Sequence, residues 1–231
     1  MPPENENLTR PSTGRPSLPA TNLPLVEESQ ADSEVALLYA SYRSRFGRPE
    51  VPGILKCFAT HPPLLRSMMD LAEGLLFADG CLVRRQKEMI ATFVSAQNAC
   101  PYCADSHGYF LRANGGSAEA LEALQRADPD SPALSQPEQA LLHFVEKINR
   151  SSCAISRSDV EHLEQSGWSE PQIAEAVHIA ALFATFNRVA NAFGLQSQGL
   201  LQPDDRTEGS SRSRNAQGEG NTVPAYPQKR A

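Results

Sequence analysis

With 231 residues, 40% of them hydrophobic, the chain is long enough for one sizeable core and short for two. A net charge of -6 gives no general attraction to nucleic acid or an anionic membrane surface, so neither is expected as a partner. No uninterrupted apolar run approaches the roughly 18 residues of a membrane span, and the first residues lack a signal-peptide-like apolar stretch, so the expectation is a soluble cytoplasmic protein. The cysteines stand at 57, 81, 100, 103 and 153. An odd set without paired spacing fits a reducing compartment better than a disulfide framework.

Residues 1–30 and 203–231 hold nine of the eighteen prolines. Both segments are predicted to be disordered tails around a helical domain over 31–202. Within that domain apolar residues recur at helical spacing and β-branched residues form no sustained runs, which predicts an all-α fold. The first predicted helix covers 32–46, with Asp32 or Ser33 as N-cap, and is followed by a breaking segment from Gly47 to Gly53. The second covers 61–78 and carries Pro62 and Pro63 in its first turn, where a missing N–H does no harm. After the Asp79-Gly80 turn, helices are predicted over 82–97 and 99–114, the latter closed by Asn114-Gly115-Gly116. Shorter ones follow over 117–127 and 136–150, then one capped by Ser156 or Ser158 that stops at Gly167. The last, 170–193, enters through Ser169-Glu170-Pro171 and closes at Gly194. It is too apolar for a surface helix and is expected in the core or at a subunit contact. Trp168 is expected to anchor packing, and His178 to be a core or interface histidine.

The stretch N-A-C-P-Y-C-A-D-S-H, residues 98–107, concentrates the chemistry. With Asn98 as N-cap, Cys100 and Cys103 fall in the first turn of a helix, where unpaired N–H groups and the helix dipole favour a thiolate. At about 100° per residue, Cys100, Cys103 and His107 share one stripe. Cys103 and His107 are i and i+4 neighbours, a nucleophile with a base in reach. In an antiparallel hairpin turning near Asn98, Glu88 reaches the level of His107 and could orient it. The helical wheel, however, places Glu88 opposite Leu82, Met89, Ile90 and Phe93, the position of a solvated carboxylate. Both readings of Glu88 stay open on geometry. A zinc site would need a fourth ligand, and the sequence offers no second CxxC or close HxxxH to supply it.

The run from Glu88 to His107 has the pattern E-x11-C-x-x-C-x3-H and resembles the signature of the alkylhydroperoxidase AhpD-like family, within the carboxymuconolactone decarboxylase-like superfamily. F-N-R-V-A-N-A-F-G-L, residues 186–195, is similar to that family's closing helix, so the resemblance extends over most of 32–200. It implies an all-α, homo-oligomeric thiol peroxidase acting on alkyl hydroperoxides or hydrogen peroxide without metal, haem or other resident cofactor. Cys103 would attack the peroxide and become a sulfenic acid, Cys100 would resolve it into a disulfide, and Glu88 and His107 would move protons. An external dithiol, in some members a lipoyl domain, would reset the pair. The best-studied branch has histidine before the second cysteine; Tyr102 stands there here, which points to the peroxidase-related branch, and its place on the wheel predicts packing. The alternative functions are a thiol-disulfide oxidoreductase or redox sensor and, from the superfamily name, a decarboxylase, whose chemistry does not need two thiols.

Overall fold

The computed structural model describes residues 21–201. Among them there is no strand, and the fold is all-α. Helix α1 (Ser33–Phe46) begins where Asp32 accepts a 2.9 Å hydrogen bond from the Val35 N–H, and it ends at Gly47 in the left-handed conformation. Helix α2 (Gly53–Phe58) was not predicted; six residues between Pro52 and the His61-Pro62-Pro63 entry are too few to display a period. Helix α3 (Pro62–Ala72) opens on its prolines and passes directly into a π-helical turn, Glu73–Phe77. The single helix predicted over 61–78 therefore carries a bulge at its end.

The next pair, α4 (Arg84–Gln97) and α5 (Pro101–Ala113), forms the antiparallel hairpin. Helix α6 (Ala118–Gln125) is capped by Ser117. Helices α7 (Gln136–Ser151), α8 (Arg157–Gln165) and α9 (Glu170–Phe193) begin with reciprocal capping boxes, Ser135 with Glu138, Ser156 with Asp159 and Ser169 with Gln172. Helix α9 keeps its predicted bounds and stops at Gly194, another left-handed residue.

Helix α4 is the axis, packed by α5, α6, α7 and α9, and every residue from Lys87 to Ser95 is buried. Helix α9 is long and apolar enough, by length and composition, to cross a membrane, although no uninterrupted apolar run suggested it. Half of its apolar window is buried, and its contacts with α2, α4, α5, α7 and α8 make it a core helix. Trp168 anchors packing as expected, donating from Nε1 to the Pro137 carbonyl at 2.8 Å. His178 lies outside the core and is exposed on the single chain, which rules out the core alternative.

Residues 1–20 and 203–231 of the predicted tails, and residue 202 of the predicted domain, lie outside the described residues. The stretch from Asn22 to Gln30 departs from the expectation because it is docked. The Asn22 N–H donates to the Phe193 carbonyl at 2.8 Å, Tyr39 Oη donates to the Val26 carbonyl at 2.8 Å, and Glu27 pairs with Lys56 at 2.6 Å. Leu25 and Val26, obscured in the sequence by the surrounding prolines, pack on the apolar core.

A charge is buried to hold the π-helical turn. Lys87, 1% exposed, donates from Nζ to the carbonyls of Leu75 and Ala78, both at 2.9 Å, and pairs with Glu175 Oε1 at 2.7 Å. Glu175 Oε2 also accepts the Leu82 N–H at 2.7 Å, so one ion pair ties the π-helical turn, α4 and α9 together. Burial pushes the Glu175 carboxyl upward, but the Lys87 ammonium and the Leu82 amide outweigh it and hold the group below its ordinary value. Lys87→Met is expected to lower stability by about 3 kcal/mol, measured by urea unfolding, because it strands a carboxylate and two carbonyls. A depressed carboxyl stabilises the fold above its unfolded pKa, about 4.3, and that contribution disappears as the pH falls through the lower folded value. The urea midpoints of wild type and Glu175→Gln should therefore converge as the pH is lowered below about 4.

Candidate active site

The turn between α4 and α5 differs from the predicted cap. Asn98 closes α4 instead of opening α5, Ala99 takes a left-handed φ of 47°, and Cys100 is the N-cap. Pro101 explains the shift: its ring fits the first helical position and has no N–H to contribute further in. The Cys100 N–H donates back to the Ser95 carbonyl at 2.9 Å, which fixes the approach of the first thiol. The Asn98 side chain is used elsewhere, donating to Asn187 Oδ1 at 3.0 Å and Asn149 Oδ1 at 3.2 Å.

The hairpin brings Glu88 and His107 together, with Glu88 Oε2 2.7 Å from His107 Nδ1. The solvated position suggested by the wheel is wrong here, since Glu88 is 0% exposed. A wheel reports one face of a helix packed on one side, whereas α4 is covered on all sides. Arg84, one turn earlier, places Nε 2.6 Å and Nη2 2.5 Å from Glu88 Oε1, and its guanidinium lies over the Phe77 ring. Glu88 is thus a carboxylate paired with a permanent cation, and it can only accept. Nδ1–H of His107 is the donor, and Nε2 is left with the lone pair that can take a proton. The edge-on ring of Phe183, 4.5 Å away between centroids, fixes the imidazole plane.

His107 stands one turn beyond Cys103 on α5. Both thiols are free and buried. The Cys103 thiol donates to the Cys100 sulfur; this bond, with the Cys103 and Tyr102 amides and the Asn187 side chain, pulls Cys100 below the ordinary thiol range against the opposing effect of burial. The same bond, together with burial, pushes Cys103 upward. Of the two thiols, Cys100, the cap of the helix, is therefore the one whose thiolate form is favoured. Tyr102 packs as expected: it is buried, and its hydroxyl accepts the Ile54 N–H at 3.3 Å.

Two functional residues were not foreseen. Arg84 had a readable signal, the i, i+4 spacing to Glu88. Asn187, fully buried in α9, donates from Nδ2 to Ser95 Oγ at 3.0 Å, accepts from Asn98, and hydrogen-bonds both thiols. Its only trace in the sequence is a polar residue interrupting an apolar helix.

Cys100 lines an open groove of about 690 Å³ with Ser95, Asp105, Gln125, Ser197 and Leu201. One wall is the segment following α9. Asp105 accepts the N–H groups of Leu200 and Leu201 at 3.0 and 3.1 Å, Gln198 donates to Ser106 Oγ at 3.0 Å, and Leu201 covers Gly108 so closely that a Cβ there would meet it at 2.8 Å.

The carboxymuconolactone decarboxylase family model matches residues 62–146, a span that contains Glu88, Cys100, Cys103 and His107. A solved peroxidase-related protein from Silicibacter sp. TM1040 is 27% identical, with 81% of this chain and 93% of that one covered and a TM-score of 0.66. A peroxidase-related protein with an alkylhydroperoxidase AhpD core, from Ralstonia eutropha JMP134, shares the fold with a TM-score of 0.70 over 78% of this chain and 94% of its own, at 24% identity. Sestrin-2 of Mus musculus is 25% identical over 196 residues, 84% of this chain; the chain spans only 38% of that relative's length. By fold and by the family model's match over residues 62–146, the chain is similar to AhpD-like proteins of the carboxymuconolactone decarboxylase superfamily.

Proposed function

We propose that the chain is a thiol-dependent peroxidase that reduces alkyl hydroperoxides or hydrogen peroxide with the Cys100 and Cys103 pair. A peroxidase-related role at the level of the family is the coarser statement. The observation that carries the finer one is the buried Glu88 and His107 contact at 2.7 Å, one turn from Cys103. Buried charge costs stability, and a histidine oriented in this way has a proton-accepting nitrogen to spare.

In the proposed cycle the Cys103 proton passes to His107. The Cys103 sulfur attacks the peroxide, the O–O bond breaks, and the departing alkoxide leaves as an alcohol with a proton held by His107. The Cys100 sulfur then attacks the Cys103 sulfenic acid, the disulfide forms as the S–O bond breaks, and hydroxide leaves as water with the Cys100 proton. An external dithiol, of lipoyl type, exchanges at Cys100, the residue of the pair that lines the groove. A homo-oligomer and a cytoplasmic location belong to the same proposal, since a reducing compartment keeps such a pair in its dithiol form. The groove at Cys100 also favours a second reading, a thiol-disulfide oxidoreductase or redox sensor whose oxidant is a protein disulfide.

A coupled assay with a dithiol reductant should show hydroperoxide consumption that Cys103→Ser abolishes; undiminished turnover in that variant overturns the mechanism. If the second reading holds, the protein reduces disulfides while leaving hydroperoxides untouched. Glu88→Gln should lower kcat/KM by about 100-fold, the scale of a positioned proton-transfer group, with the number of titratable thiols unchanged. Asn187→Leu removes a donor that lowers Cys100. The pH at which Cys100 becomes half-alkylated by iodoacetamide should therefore rise toward the ordinary thiol value of about 8.5.

A further inference from the structure

Cys57 has no part in the chemistry proposed above, yet it lies inside the same site. It is 1% exposed on α2 and shares one buried apolar cluster with Cys100, Tyr102, Cys103, Ala190 and Leu195. The hydrogen bond from the Ile54 N–H to the Tyr102 hydroxyl pins α2 against the cysteine pair, and Cys57 follows Ile54 by three residues, one turn along the same helical face. Cys81 and Cys153, by contrast, are exposed.

We propose that Cys57 is a second resolving thiol, which condenses with the sulfenic acid of Cys103 when Cys100 is engaged with the external dithiol. The inference rests on the peroxidase reading, with the hydroperoxide as the oxidant. A bond forms between the sulfurs of Cys57 and Cys103, the S–O bond of the sulfenic acid breaks, and hydroxide leaves as water with the Cys57 proton. Cys57 is oxidised and Cys103 reduced by one step, so no further reagent is needed. Burial pushes the Cys57 thiol up to about 12, which keeps it protonated and its condensation slow beside that of Cys100, so that it competes only while Cys100 is occupied. Cys103 is thereby protected from further oxidation during the part of the cycle when its usual partner is occupied.

The test uses the full chain carrying Cys100→Ser, treated separately with diamide, which couples neighbouring thiols without peroxide chemistry, and with cumene hydroperoxide. Each sample is mapped by non-reducing peptide mass spectrometry in the presence of dimedone. Both oxidants are expected to link Cys57 to Cys103, with loss of the mass of two hydrogens, and the further change Cys57→Ala should convert the hydroperoxide product into a dimedone adduct on Cys103. Free Cys57 after diamide overturns the inference, as does a Cys103 dimedone adduct beside free Cys57 after hydroperoxide. Linkage by diamide with both thiols left reduced by hydroperoxide overturns the peroxidase reading instead, and the diamide arm tells the two failures apart.

Discussion

A carboxylate without solvent contact at the centre of a helical domain has to be matched by partners fixed in place, and Glu88 is matched on both oxygens. Arg84 neutralises one, one turn away on the same helix, and His107 uses the other from across the hairpin. Neither partner could be displaced cheaply, because removing either leaves a buried charge whose desolvation is no longer offset. The enclosure of α4 by α5, α6, α7 and α9 thus does more than build a core. It converts an ordinary glutamate into a rigid acceptor and gives the histidine a single orientation.

The thiol pair is organised by the same economy of donors. Cys100 occupies the helix cap, where amide N–H groups converge, and Asn187 brings a further donor from the last helix. Cys103, three residues on, is equally buried, and its hydrogen bond to Cys100 together with burial pushes its thiol upward. The two thiols thus differ in the direction of their pKa shifts and in their neighbours, although they are separated by only Pro101 and Tyr102. Such asymmetry places one beside His107 on α5 and the other at the lining of the groove.

Much of this was legible in the sequence because it depends on local spacing. Proline, glycine and capping residues mark most helix ends, and an antiparallel hairpin turning near Asn98 places Glu88 level with His107 from residue counting alone. What failed was what depends on the whole assembly. The wheel could not foresee a helix buried all round, so it put Glu88 in solvent. Asn98 looked like a cap, but Pro101 moved the helix start and released its side chain to bind Asn187 and Asn149. Helix α2 was too short to show a period, and Asn187 comes from a distant helix whose pairing with the turn leaves no local mark.

The order of the elements along the chain has a consequence for biosynthesis. Cys100 and Cys103 leave the ribosome well before Asn187, Ala190, Leu195 and the segment to Leu201, which supply the donor, the cover and one wall of the groove. At about 5–20 residues per second, the nascent chain carries two uncovered cysteines for several seconds. The selectivity of the finished site is absent during that interval, and thiol chemistry in the partly made protein is governed by the surrounding medium alone.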